Sequence, residues 1–228
     1  MAATAEVIER VGTQPFFPTN IWVVDLKPAV HEPLNARLLD ALDRLIGDAP
    51  QSTPGQGWQT DQVLHELAEF RELIDIIEFS SKKILDEFKI RYESFLVTGC
   101  WANISPPGGF HIPHLHPNNF LSGAYYLQAD AGADAIAFHD PRPQKEIIMP
   151  EVIEQNPLNS IVHQMQIKPG RLVIFPSWFV HSVPKNKSTR RRASISFNVM
   201  FSAFAEKVSQ PRWRGLPIDA EAGRGGQA

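Results

Sequence analysis

The sequence predicts a mostly β domain with flanking helices, built as an antiparallel sandwich or barrel. Beyond Arg91 the chain breaks into short runs rich in β-branched and aromatic residues, set apart by turns such as Pro106-Pro107-Gly108-Gly109 and Pro169-Gly170. Before Arg91, two segments carry apolar residues at helical spacing instead. The chain has 228 residues, of which 43% are hydrophobic and 21% charged, so one domain with a sizeable core is expected.

Taken in order, Phe16 to Leu26 (FFPTNIWVVDL) has the composition of a strand, with Pro18 near its start. Pro33 to Gly47 places Leu34, Leu38, Leu42, Leu45 and Ile46 on a helical repeat that stops at the glycine. Asp48 to Gly57, rich in Pro, Gly and Ser, predicts a loop. A second helical pattern runs from Asp61 to Ile90, with Ser80-Ser81 as a point where it bends or divides. Strands are then expected over Ser94–Ile104, Phe120–Gln128, Ala135–His139, Val162–Ile167, Arg171–Phe175 and Ala193–Phe201. The proline-rich stretch Asp140–Ile161 interrupts them, as a lid or as a plain surface excursion. The expected organisation is therefore a single domain: residues 1–93 as helical support with a leading strand, 94–205 as the β core, and 210–228 as a loose tail.

Composition closes off several function classes. A net charge of -3 offers no electrostatic footprint for nucleic acid. The basic run Lys185–Arg192 (KNKSTRRR) has no interleaved aromatics and is expected to be a solvated turn. No stretch reaches the roughly 18 uninterrupted apolar residues of a membrane span, and residues 1–17 lack the pattern of a secretory leader. Cys100 is the only cysteine, which excludes an intrachain disulfide and a multi-thiolate metal site. A cytoplasmic protein is expected. Assembly is left open, a homodimer through the helical N-terminal region being one arrangement.

The chemistry-bearing residues centre on His114-Leu115-His116, joined later by His181 and then by Arg192-Ala193-Ser194. On an extended strand, residues i and i+2 point to one face, so His114 and His116 together could grip a metal ion that His181 closes from another strand. Imidazole suits iron, zinc, copper and nickel, and three ligands on one side leave positions open for other molecules. Arg192 and Ser194, also i and i+2, would share a strand face on which a guanidinium binds a carboxylate in fork geometry. His111 and His139 are expected to support or surround such a site rather than ligate. Trp178 is expected either to shape a pocket or to pack in the core. Arg142 is expected either to bind an acidic substrate or to tie down its loop. One of Tyr125 and Tyr126, which alternate across a strand, belongs to the core.

Five further motifs extend the pattern: His114-Leu115-His116-Pro117, Leu121–Leu127 (LSGAYYL), Phe138–Arg142 (FHDPR), Phe175–His181 (FPSWFVH) and Arg192–Asn198 (RASISFN). Together they resemble the 2-oxoglutarate and Fe(II)-dependent oxygenases, in particular a bacterial and phage group with an HxH…H pattern. The likeness is strong from about Trp101 to Phe201 and loose before it, where Phe17-Pro18-Thr19 resembles the group's first strand. The resemblance implies a double-stranded β-helix, also called a jelly roll and cupin-like. It implies Fe(II) and 2-oxoglutarate as co-substrate, and hydroxylation of a small molecule or protein side chain as 2-oxoglutarate is decarboxylated to succinate. It also implies His114 and His181 as iron ligands, and Arg192 with Ser194 as holders of the distal carboxylate. Asn103 and Tyr126 would line the co-substrate pocket.

Position 116 departs from the wider superfamily, which has Asp or Glu there. Either three histidines, His114, His116 and His181, bind the metal, or Asp140 supplies the carboxylate and His116 supports from behind. Strand alternation favours three histidines. Two other functions remain open at the level of sequence: a cupin-like three-histidine metalloenzyme that does not use 2-oxoglutarate, and a non-catalytic jelly-roll binding protein.

Overall fold

The computed structural model describes residues 9–47 and 57–204. Two helices, α1 (Pro28–Ile46) and α2 (Arg71–Glu87), back a six-stranded sheet, and a four-stranded sheet covers the opposite face of that sheet. The larger sheet has the order β1 (Trp22–Asp25), β8 (Arg171–Pro176), β5 (Leu121–Gln128), β10 (Arg192–Phe201), β3 (Phe95–Ser105), β2 (Trp58–Gln59). The smaller has β4 (His111–His114), β9 (His181–Val183), β6 (Ala135–His139), β7 (Val162–Gln166). Every strand pairing in both sheets is antiparallel. From β3 to β10 the chain crosses repeatedly between the sheets, contributing four strands to each, which is the eight-stranded jelly roll.

The alternation of side chains on the central strands builds both layers. On β10, Ala193, Ile195, Phe197 and Val199 pack under the helices against Leu38, Leu42, Leu73 and Ile77. Arg192, Ser194, Ser196 and Asn198 point the other way, into a cavity between the sheets. The same split divides β3 (Cys100, Ala102 and Ile104 against Trp101, Asn103 and Ser105) and β8 (Leu172 and Ile174 against Val173 and Phe175). Tyr125 and Tyr126 separate likewise. Tyr125 enters the helix-side core and donates its hydroxyl to Asn35 Oδ1 at 2.7 Å, while Tyr126 faces between the sheets.

Several boundaries differ from those the sequence predicts, each for a physical reason. Only Trp22–Asp25 of the first predicted strand pairs, with β8; Phe16 and Phe17 are exposed, and Phe17 has a positive φ. Helix α1 starts at Pro28, before the predicted Pro33. Pro33 sits inside the helix on its exposed side, where water can reach the carbonyl its missing N–H leaves free. The pattern from Asp61 opens as two single 3₁₀ turns, Leu64–Glu66 and Ala68–Phe70, before α2 proper begins. Ser80-Ser81 does not divide α2: the Ser80 hydroxyl donates to the Ile76 carbonyl at 2.7 Å, within the helix. Strand β2 was not anticipated, and β4 and β9 only as the strands expected to carry His114 and His181; the three are 2, 4 and 3 residues long. The predicted loop Asp48–Gly57, apart from Gly57, and the tail 210–228 lie outside the described residues.

Gly123, in the middle of LSGAYYL, is a point of close approach. A Cβ there would lie 2.4 Å from Phe197 Cζ and 2.6 Å from the Val173 carbonyl oxygen. Gly123→Ala is expected to lower unfolding stability by about 1–3 kcal/mol through overpacking, measured by urea denaturation.

Candidate metal centre between the sheets

The histidines reach one another through the smaller sheet. His114 at the end of β4 stands opposite His181 at the start of β9. The strand stops at His114, so His116 is not delivered by strand alternation as the spacing suggested. It sits in the following turn, where its N–H donates to the Ser177 carbonyl at 2.9 Å and ties that turn to the β8–β9 connection. The three rings nevertheless meet. Their centroids are 4.3 Å (His114–His181), 5.2 Å (His114–His116) and 5.2 Å (His116–His181) apart. Each offers a ring nitrogen, and these nitrogens lie within 4.8 Å of one another.

Backbone carbonyls fix two of the tautomers. His114 Nδ1 is 2.8 Å from the Ile112 oxygen, and His181 Nδ1 is 3.0 Å from the Phe179 oxygen. A carbonyl only accepts, so Nδ1 carries the proton in both rings and Nε2 keeps its lone pair. Burial holds the other charges off. The His181 pKa falls to about 3, chiefly through desolvation, and His116 falls to about 4 through desolvation and then the charge of His114. Trp101 lies beside His116 and Phe175 beside His181, with ring centroids 5.7 and 4.6 Å away. Three converging imidazole nitrogens, two of them on rings held by backbone carbonyls, fit a divalent transition metal.

The cavity that these rings border measures about 270 Å³. Its deep end holds Arg192, 3% exposed, whose guanidinium has no carboxylate partner among the described residues. It makes only long hydrogen bonds, both 3.4 Å, to the Pro184 carbonyl and Ser105 Oγ. Desolvation lowers its pKa, so the buried cation lacks compensation from the protein. Ser194 stands one alternation further along β10, opposite Asn103 on β3 and Tyr126 on β5. His111, expected beside the site, lines the cavity too; its pKa is lowered to about 4 by desolvation, then Arg192, then His114.

Other predicted residues stand elsewhere. Asp140, the alternative carboxylate, accepts both arms of Arg142 (2.9 and 2.8 Å) and pairs with Lys145 Nζ at 2.8 Å. Those bonds hold its carboxyl far below the ordinary range. It is outside the histidine cluster and does not line the cavity. Arg142 therefore ties down its own loop. Trp178 is 53% exposed and belongs to neither core nor cavity. His139 Nε2 is hydrogen-bonded with Ser182 Oγ at 2.9 Å. In the basic run, Arg191 pairs with Asp43 and Arg190 with Asp130, while the buried Asn186 side chain organises the turn.

Sequence reasoning missed five polar lining residues, Ser105 among them, one residue past the predicted end of its strand. Ser196 and Asn198 continue the alternation that begins at Arg192, and the polar–apolar pattern of RASISFN carried that signal. Gln59 and Gln62 come from the segment preceding α2 and had none. Two chains of hydrogen bonds reach β10. Gln59 Nε2 donates to Asn103 Oδ1 (2.6 Å), whose Nδ2 donates to Ser196 Oγ (2.8 Å). Ser122 Oγ donates to Asn198 Oδ1 (2.7 Å) and lies 2.9 Å from Ser177 Oγ.

Residues 99–198, the segment that walls this cavity, match the family model described as "Putative 2OG-Fe(II) oxygenase". Over those residues the chain is similar to that family. Solved structures share the fold at low identity. A Pseudomonas putida prolyl-4-hydroxylase aligns at 16% identity and TM-score 0.55, covering 80% of this chain and 93% of its own. The non-heme alpha-ketoglutarate-dependent epimerase SnoN from nogalamycin biosynthesis aligns at 12% and 0.59, covering 88% of each chain. A 2OG-Fe(II) oxygenase family protein from Burkholderia pseudomallei aligns at 15% and 0.51, covering 78% of this chain and 84% of its own. No curated protein matches the chain in sequence. The matched segment begins after both helices, which brace the larger sheet from outside it. No helix among the described residues is long and apolar enough to cross a membrane.

The lowered histidine pKa values set a direction for stability without metal. Unfolded His116 and His181 take up protons near pH 6.5, whereas the folded protein resists doing so until about pH 4 and 3. Between those limits the unfolded state binds more protons, so stability falls as pH falls. Urea denaturation of metal-free protein at stepped pH should show this decline, and His181→Leu should make it shallower.

Proposed function

We propose that this chain is a 2-oxoglutarate-dependent hydroxylase in which His114, His116 and His181 hold Fe(II) and Arg192 anchors the co-substrate. The observation that carries the reading is Arg192: a buried guanidinium without a carboxylate partner among the described residues, on the wall of the cavity that the three histidines border. A dicarboxylic acid bound by its far carboxylate would supply the missing countercharge. Ser194 would stand beside that carboxylate, with Tyr126 and Asn103, its register partners on the neighbouring strands, lining the same pocket. The Tyr126 hydroxyl keeps its proton, because burial raises its pKa, and so offers a donor rather than a competing anion.

When bound, Fe(II) supplies the oxygen chemistry that couples decarboxylation of 2-oxoglutarate to oxidation of a substrate C–H bond. The net change would be C–H, 2-oxoglutarate and O₂ to C–OH, succinate and CO₂. The chain's own residues contribute position and environment. Carbonyl bonds from Ile112 and Phe179 orient the His114 and His181 rings, and the two sheets wall the cavity. Asp140 is committed to Arg142 and Lys145, which favours His116 as the third ligand. Hydroxylation is chosen over other outcomes by analogy with the prolyl hydroxylase among the similar folds, and a small molecule or protein side chain is the substrate class it implies. A cytoplasmic setting suits Cys100, a buried thiol pushed up to about 12 that takes no part in a disulfide.

Anaerobic protein loaded with Fe(II) and 2-oxoglutarate should develop a weak visible charge-transfer band. Arg192→Ala should weaken 2-oxoglutarate binding about 30-fold or more, the loss expected when one partner of a buried charge pair is removed. His116→Ala should lose iron and Asp140→Ala should retain it. Iron retained by His116→Ala and lost by Asp140→Ala would reverse the ligand assignment.

A further inference from the structure

Resting on that reading of the site, we infer that the histidine end of the cavity receives an anionic group of the substrate, a carboxylate, with Ser196 and Asn198 as its donors. Two independent observations carry this. The first is charge. Three neutral imidazoles leave Fe(II) its full two positive charges, Arg192 adds a third, and 2-oxoglutarate returns two negative ones. Among the described residues no Asp or Glu lines the cavity, and Asp140 is spent on Arg142 and Lys145. One positive charge is left over in a partly enclosed space of low dielectric, where a substrate anion is strongly favoured.

The second is the direction of the hydrogen bonds. Asn103 donates to Ser196 Oγ, so the Ser196 hydroxyl proton is left to point elsewhere. Asn198 accepts from Ser122 through Oδ1, and its Nδ2 makes no hydrogen bond to protein among the described residues. Both side chains line the cavity, on successive alternations of one strand, with backbones roughly 6.7 Å apart. Acceptors are consumed and donors are left over at both positions. Two such donors fit the two oxygens of a carboxylate. They stand toward the end of β10 away from Arg192, with Trp101 opposite Ser196 and Gly99 opposite Asn198. Gly99 leaves room there for the exposed Gln62 side chain, whose Oε1 would be 3.1 Å from a Cβ at that position. The substrate class is thus a small organic acid, or a molecule with a carboxylate close to the carbon that is oxidised.

The test titrates the anaerobic Fe(II)–2-oxoglutarate protein with acetate and with its uncharged counterpart acetamide, following the charge-transfer band and the heat of binding. Acetate should shift the band saturably and acetamide should not. Ser196→Ala, and the isosteric Asn198→Asp that keeps the acceptor for Ser122 but replaces the N–H donors by charge, should each weaken acetate roughly ten-fold or more while 2-oxoglutarate still binds. Equal binding of acetate and acetamide, or a band that neither perturbs, overturns the inference and leaves the co-substrate reading intact. Weakened 2-oxoglutarate binding in both variants assigns the donors to the co-substrate and also overturns it. A band that never forms removes the reading of the site and this inference with it.

Discussion

In β10 successive side chains leave opposite faces of the larger sheet, and each face meets a different medium. Ala193, Ile195, Phe197 and Val199 are buried against helices, while Arg192, Ser194, Ser196 and Asn198 border a polar cavity. The strand is paired on both sides, with β3 and β5, so a shift of one residue would carry a guanidinium into the helix-backed core and a phenylalanine into the cavity. The register of β10 is therefore set by the cost of both errors at once. The remaining architecture follows from it: Tyr125 and Tyr126 take opposite sides, Gly123 makes room for Phe197, and the smaller sheet has a polar wall to close over.

That alternation is also why the β core was legible. RASISFN states a period of two, RLVIF is a continuous β-branched and aromatic run buried on both faces, and the core strands agree with the predicted ones within a residue or so at either end. What escaped was short. Strand β2 and the bounds of β4 and β9 are set by tertiary pairing, and stretches of 2 to 4 residues hold too little periodicity to announce themselves; β4 and β9 were legible only through the histidines they carry. Helix α2 was legible from its apolar repeat, but the 3₁₀ turns before it share the same leucines, and their tighter winding is fixed by packing on β3.

The candidate site divides along the same line. Arg192, Ser194, Asn103 and Tyr126 stand on regular strands and fell where alternation puts them. His116 reached the cluster by another route, through a turn held by the Ser177 carbonyl, so the right neighbours followed from an incomplete geometric reason. Asp140 shows what sequence distance conceals. Its fate was decided by Arg142 and Lys145 close by in the chain, and nothing in FHDPR states whether a carboxylate turns toward a metal or back onto its own loop. Gln59 was invisible for the opposite reason: its partner, Asn103, lies 44 residues on.

The two ends of the cavity are chemically unlike, and the difference has one origin. At the deep end a fixed cation awaits an anion; at the histidine end neutral rings stand where a carboxylate would otherwise offset the metal. In the proposed site, His116 in place of that carboxylate would do more than exchange one donor atom for another. It would raise the charge of the whole enclosure by one, and desolvation would amplify the consequence. Among the described residues no acidic side chain lines the cavity in compensation; it has Ser196 and Asn198, which accept from Asn103 and Ser122. With His116 as the proposed third ligand, donors of this kind match a negative charge that arrives with the molecule to be oxidised.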